Sequence, residues 1–551
     1  MVQRDLTSIS FAKAWVTISA AALLLAALPP LPAGALTNDA AAIIAKHEAY
    51  VGHPEGLVTT YRFKVSPNAP KPRSTPAPDE PKEQPFTATT YRRGLLYREV
   101  DEFSGVTAQE GFTGRALWSS NENGYTVINY ENAARRLYTS NVIDADALGG
   151  DVGATSRGTQ TIGGVPVDIV RIAPANGIPA DIAFDQKTGA YVQITFDPDR
   201  NYDSHSVVHI EGYTEAAPGV RVPSSFYSGT GEFGKFELTG KAVRAVTNDD
   251  LRGPVPSAKW NFASTDATPI EVALHQGPYA FLPQGQAVHV HASIGGHEGT
   301  FLLDSGASGI VIYKPYADKL KFTKLGRTGF SGVNGGGVAA HFVRLSDPIV
   351  VGKNSLENVI VTLADGTFSE GINGILGYDF LAGALVDVDT ANKTIRILDA
   401  SKMEPVVAPG AYAFTVNLAS RQPEIALKAS GVQTRAIFDT GNDYLAVLSD
   451  DLQTSGRIVA LNDKINLGGG AAVDYQIGFY GVDGPSNVPA RCSRLSQLDV
   501  GPYKYQNVET CFVSAKVFGK NGGLLGMDFL KHFNWTFDYV DSKMVLTPNG
   551  K

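Results

Sequence analysis

The 551-residue sequence predicts a mainly β protein, with an antiparallel β region first and then two tandem copies of one β-rich unit. Three observations predict this. Strand-length apolar runs alternate with Gly, Asn and Asp turns along most of the chain, the rhythm of antiparallel sheets. The composition agrees, because 58 Gly and 31 Pro with plentiful Thr and Val favour short strands and tight turns. A block of sequence in the C-terminal half also occurs twice, the mark of a duplicated structural unit.

Hydrophobic residues make up 43% and charged residues 19%, enough to build true cores. The net charge is −8 and no run of basic residues occurs, so the chain is not expected to bind nucleic acid.

Residues 1–35 read as a signal peptide. Arg4 and Lys13 precede or open a nearly wholly apolar stretch from Ala14 to Leu28. Pro29, Pro30 and Pro32 break it, and Ala33-Gly34-Ala35 has the small-x-small form of a cleavage site. The apolar run of about 15 residues falls short of the roughly 20 that a spanning helix needs. No later run is long enough either. The expectation is an exported chain, periplasmic or secreted, with no stable membrane insertion.

Residues 36–265 form the first unit in this reading. Ala40–Tyr50 has the pattern of a short amphipathic helix. Strand-like runs follow, among them LVTTYRFKV, VPVDIVRIAP and KFELTGKAVRAV. The Pro-rich, charged segment 66–85 reads as a mobile loop between two strands. The order of helix and then long meander, with phrases such as FTGRALWSSNENGYTVINY and FDQKTGAYVQITF, resembles the half-open β-barrel of periplasmic lipoprotein-carrier proteins. That resemblance rests on rhythm and not on a chemical motif.

The repeat decides the rest. GTFLLDSGASGIVIY (299–313) matches TRAIFDTGNDYLAVL (434–448), with an apolar run, then Asp, a hydroxyl residue and Gly. Downstream, NGILGYDFLAGALVDVD (373–389) matches GGLLGMDFLKHFNWTFD (522–538). Asp304 precedes Gly377 by 73 residues and Asp439 precedes Gly526 by 87, so the second copy is longer. The stretch 483–497 reads as the insertion, and Cys492 lies in it.

Over about residues 276–550 the chain resembles the aspartic peptidases, in particular bacterial chains joining two retropepsin-like lobes. The resemblance implies two acid-protease β-barrel lobes, over 266–405 and 406–551, after the half-barrel-like N-terminal domain that the carrier resemblance implies. It also implies that Asp304 and Asp439 form a catalytic dyad across the lobes. Two carboxylates sharing one proton supply both the base and the acid that peptide hydrolysis needs. Ser305 and Thr440 would tie the two Asp loops together. Gly306 and Gly441 would allow close backbone approach to the carboxylates. Ile375-Leu376-Gly377 and Leu524-Leu525-Gly526 would thread beneath those loops. Asp379 and Asp528 read as first-turn acids of short helices. The substrate would be a peptide or protein, with no metal or cofactor, and one chain would complete the site as a monomer.

The second copy departs from the family at Asn442-Asp443, where a small residue is usual at 443. If Asp443 faced the dyad it would raise the pair's pKa values; facing solvent it would do nothing. Candidate flaps are 328–345 and 464–481, with glycine tips at 335–337 and 468–470. His289, His291 and His297 invite a zinc reading, but no acidic residue is spaced to complete a standard motif. The two cysteines, Cys492 and Cys511, could pair in an oxidising compartment. The alternative function is a non-catalytic peptide- or lipid-binding envelope protein that keeps the protease fold.

Overall fold

The computed structural model describes residues 38–67, 69, 86–129, 132–148, 152–198, 207–275, 285–331, 337–365, 371–442, 445–454, 460–461, 475–481, 484–518 and 522–550. The protein is mainly β, as expected. The readings for the signal peptide, for 70–85, for Asp443 and for the glycine tip at 468–470 lie outside the described residues.

The first sheet is antiparallel and has thirteen strands between Leu57 and Val243, curved into a half-barrel. The anticipated first helix spans Asn38–Val51. A second helix, Asn132–Asp144, was not anticipated, since its polar sequence NAARRLYTSNVID carries a weak apolar stripe. Both helices bury one side against the sheet. Ala40 and Ile44 from the first, with Val142 and Ile143 from the second, share a core with Val170, Ile182 and Phe184.

The chain leaves this sheet after Val243, and Lys259–Asn261 already pairs with Asn354–Glu357 in the next one. From there the repeat is visible strand by strand. Strand His297–Leu303 runs parallel to Gly374–Leu376, and Ile310–Tyr313 lies antiparallel on the other side of that short strand. In the second copy Val432–Phe438 and Ala446–Ser449 flank Gly523–Leu525 in the same way. Each Asp loop therefore joins two strands that sandwich a short buried strand.

The copies also share a ladder. Leu385–Asp389 pairs antiparallel with Phe533–Asp538, placing Val386 opposite Phe537 and Val388 opposite Trp535. Alignment of Gly377 with Gly526 makes Asp387 and Thr536 equivalent residues, and they pair with each other, Thr536 Oγ1 donating to Asp387 at 3.0 Å. A local twofold axis passes through that pair. One continuous core spans both copies, with Phe301, Phe380, Phe438, Phe529 and Trp535 fully buried.

The stretch read as the insertion, 483–497, falls from residue 484 onward in a strand. Gly484–Val500 is a 17-residue strand whose part from Ala490 onward turns through Gly501-Pro502 and pairs with Tyr503–Val513, while its first part pairs with Tyr475–Gly481. Its alternation of apolar and polar residues is interrupted by two prolines and a glycine, which hid the strand. Cys492 and Cys511 are direct backbone partners in this ladder, and Cys511 is disulfide-bonded.

Candidate active site

The two Asp loops meet on the local twofold. The Asp304 N–H donates to the Leu376 carbonyl at 3.0 Å, and the Asp439 N–H donates to the Leu525 carbonyl at 3.0 Å. The short strands beneath are buried because they carry Gly-Ile-Leu and Gly-Leu-Leu, small and then fully apolar. Downstream, the Tyr378 N–H donates to the Ala307 carbonyl and the Met527 N–H to the Asn442 carbonyl, closing each loop from behind.

Ser305 and Thr440 join the loops reciprocally. The Ser305 N–H donates to Thr440 Oγ1 at 2.9 Å, and the Thr440 N–H donates to Ser305 Oγ at 3.1 Å. Each hydroxyl then donates across to the opposite strand, Ser305 Oγ to the Phe438 carbonyl at 2.6 Å and Thr440 Oγ1 to the Leu303 carbonyl at 2.8 Å. Both residues are buried, so these four bonds lie in a low-dielectric setting where losing one is costly.

The carboxylates sit just above. Asp304 Oδ1 accepts from the Gly306 N–H at 2.8 Å and Asp439 Oδ1 from the Gly441 N–H at 2.9 Å. The two carboxyl groups are hydrogen-bonded to each other. A methyl group on Gly306 would lie 2.5 Å from the Asp439 carboxyl carbon, and one on Gly441 2.6 Å from that of Asp304. Glycine is required at both places because each backbone abuts the other copy's acid. The Gln422 amide also donates to the Gly306 carbonyl, a contact with no sequence signal.

Burial pushes the Asp304 carboxyl above the usual carboxylate range, while the bonds with Asp439 and with the Gly306 and Ala307 N–H groups hold it down. Tyr313 and Tyr539 are buried nearby. Burial, aided by the Asp304 charge, keeps their hydroxyls neutral. Two hydrogen-bonded carboxyls cannot both ionise readily, so a pair placed in this way can share one proton. Such a pair can take a proton from water and give one to a carbonyl oxygen.

The first flap candidate is the hairpin of Phe322–Ser331 and Gly337–Leu345, whose tip lies outside the described residues. The N-terminal sheet packs on its base. Phe103 and Val106 share a cluster with Phe342 and Ile360, and a methyl on Gly326 would lie 2.4 Å from the Ser104 carbonyl oxygen. In the second candidate, Tyr475–Gly481 is a strand paired with Gly484–Val500.

The equivalent acids Asp379 and Asp528 diverge. Asp528 accepts from Lys531 Nζ at 2.7 Å. Asp379 is buried and accepts from Asn121 Nδ2 of the N-terminal sheet at 2.5 Å. Its helix, Tyr378–Leu381, is only four residues long, so the dipole reading does not account for this burial. Asn123 docks beside it, exchanging hydrogen bonds with the backbone of Ile360. Burial and the Glu122 charge push Asp379 up to about 7. Sequence reading ran Asn121–Tyr125 into one strand-like phrase; it is a turn between Leu117–Ser120 and Thr126–Asn129, and that it plugs into the next unit has no local signal.

His289 and His291 share one face of Gly285–Ile294, and His297 opens the next strand. Among the described residues no cluster of three or more His, Cys, Asp or Glu is placed to hold a metal.

The repeat brings the Asp304 and Asp439 loops together in a mainly β fold. The aspartyl protease family model matches residues 290–380, a span that runs from within Gly285–Ile294 to Phe380 and includes Asp304. No curated protein matches the chain. Among solved structures, a LolA superfamily protein from Nitrosomonas europaea is similar over 39% of this chain and 97% of its own, at 12% identity and a TM-score of 0.29. No helix among the described residues is long and apolar enough to cross a membrane.

Proposed function

We propose that this chain is an exported aspartic endopeptidase, periplasmic or secreted, in which Asp304 and Asp439 act as one dyad. The observation that carries the reading is the hydrogen-bonded carboxyl pair on a local twofold, tied from below by Ser305 and Thr440. The ionised member takes a proton from a water molecule as its oxygen attacks the scissile carbonyl carbon. The protonated member gives its proton to the carbonyl oxygen, leaving a neutral gem-diol. Collapse of that diol returns a proton to the dyad and delivers one to the amide nitrogen, and the C–N bond breaks to give an acid and an amine. The units are 1–35 as signal peptide, 36–265 as accessory domain, and 266–405 and 406–551 as lobes. Export rests on the N-terminal pattern of charge, apolar run and small residues.

The test is cleavage of a peptide library by the wild-type protein from acidic to neutral pH. Products with new amino termini, formed fastest on the acid side, support the reading. No cleavage at any pH would remove it.

A cavity of about 250 Å³ inside the N-terminal half-barrel favours a second role for residues 36–265, as a binding module for a small, partly apolar ligand. Binding of a hydrophobic fluorophore that survives loss of the dyad would support this role.

A further inference from the structure

The cavity in the half-barrel has a wall chemistry that a simple apolar container does not need. One side is aromatic and aliphatic, with Tyr61, Phe86, Phe196, Phe226 and Phe236. The other carries the carboxylates of Glu99, Asp101, Glu110, Asp144 and Asp146. Only two guanidinium groups, Arg92 and Arg221, line the same space.

The carboxylates are placed by the strand pleat. Glu99 and Asp101 alternate along Leu96–Phe103, so both point to one face. Glu110 on Val106–Phe112 stands directly opposite Glu99 in the antiparallel ladder. Like charges at directly opposed positions are destabilising, and here both face the interior. Glu99 accepts from Thr90 Oγ1 at 2.7 Å and Glu110 from the Tyr97 hydroxyl at 3.1 Å, which are neutral donors. Asp101 Oδ1 is sealed from bulk solvent and has no hydrogen-bond partner.

The two cations do not balance the acids, since Arg92 reaches only Asp144 and Glu99 in part and Arg221 is committed elsewhere. Arg92 donates to Asn141 Oδ1 at 2.5 Å and lies over the Tyr97 ring, with Asp144 at 3.8 Å. Arg221 donates to the Tyr50 carbonyl and covers the Tyr50 ring. Asp146 is satisfied by His47 and the Tyr191 hydroxyl. The remaining four acids therefore face an excess of negative charge. Burial, with mutual repulsion added, pushes Glu110 up to about 8, and burial pushes Asp144 up to about 6. Among the described residues no three of these acids converge closely enough to hold a metal ion.

We propose that the half-barrel cavity binds a small cationic amphiphile, an alkyl- or aryl-ammonium or guanidinium. Its charged head meets Glu99, Asp101 and Glu110, and its apolar body lies against the Phe226 and Phe236 wall. The volume of about 250 Å³ lies just below the range of about 300 Å³ upward typical of small-molecule sites, which suits a short chain. Buried acids left without countercharge are a liability to folding unless a partner supplies that charge. This site is independent of the proposed dyad.

The experiment uses the purified full-length chain and calorimetric titration with decylammonium, decanoate and decanol, each below its micelle concentration. Decylammonium is expected to bind about tenfold or more tighter than the other two, the scale of one charge-assisted hydrogen bond. The Glu99→Gln/Glu110→Gln double variant is expected to lose that preference while keeping its affinity for decanol. Equal binding of the three probes, tighter binding of decanoate, or an undiminished preference in the variant would overturn the proposal. Asp144→Asn, on a helix and not in the ladder, is the second variant should the double change fail to fold. It is expected to weaken decylammonium alone, and unchanged decylammonium affinity in it would count against the proposal. The wild-type comparison of the three probes decides the head-group preference in either case.

Discussion

Ser305 and Thr440 hydrogen-bond each other's backbone and, through their hydroxyls, each other's preceding strand. The four bonds form a closed, two-fold exchange between the copies of the repeat. They fix the distance between the Asp loops without help from the carboxylates themselves.

Removing one hydroxyl should therefore harm both stability and catalysis. Thr440→Ala leaves the buried Ser305 N–H and the Leu303 carbonyl without a partner, at about 1–3 kcal/mol for each group. Urea unfolding is expected to show a loss of a few kcal/mol, with a fall in kcat larger than any change in KM. Thr440→Ser keeps the hydroxyl and is expected to recover most of both.

The glycines make a sharper prediction. Gly306→Ala would place a methyl 2.5 Å from the Asp439 carboxyl carbon. The lobes must shift or the carboxyl must turn away. Displacement of a reacting group by about 1 Å costs roughly a hundredfold in rate. Gly306→Ala and Gly441→Ala should each lose at least that in kcat/KM in a peptide cleavage assay, while circular dichroism still reports the β fold.

Asn121 and Asp379 tie the N-terminal sheet to the first copy. Asp379 is raised to about 7 in the folded chain against 3.8 when free. A carboxyl raised in the folded state adds stability below pH 4 that is lost as pH climbs through 7. The docking should loosen across that window, by a few kcal/mol in total. Asp379→Asn still accepts from Asn121 and cannot ionise. Its thermal midpoint is expected to match the wild type near pH 4 and to exceed it at pH 8. A wild type that is more stable than the variant at pH 8 would refute the assignment.

The bond at Cys511 closes a loop within an already paired hairpin. In the chain-entropy account a loop of this size contributes about 3 kcal/mol. Cys511→Ser should lower the denaturation midpoint by a comparable amount and leave the dyad geometry in place, so activity at low temperature should persist.

Much of this was legible in the sequence, and what was not has physical causes. The duplicated Asp-hydroxyl-Gly frame with its downstream Leu-Gly-x-Asp-Phe-Leu marked Asp304 and Asp439 as equivalent positions, since the pattern is local and occurs twice. The long strand Gly484–Val500 was hidden because Pro485, Pro489 and Gly484 are strand breakers that edge positions tolerate. The burial of Asp379 and the docking of Asn121 could not be read at all. They depend on where two distant segments meet, and an Asn-Glu-Asn-Gly turn looks the same whether it faces water or a neighbouring core. Gln422 against Gly306 is another contact of that kind.

The measurement closest to the central claim compares Asp304→Asn and Asp439→Asn with the wild type in a fluorogenic peptide cleavage assay across pH 3 to 8, with folding checked in parallel. A shared-proton dyad predicts a bell-shaped wild-type profile and loss of at least about a thousandfold in kcat for each variant, because neither acid can do both proton transfers alone. A folded variant that keeps wild-type turnover at any pH would contradict the account.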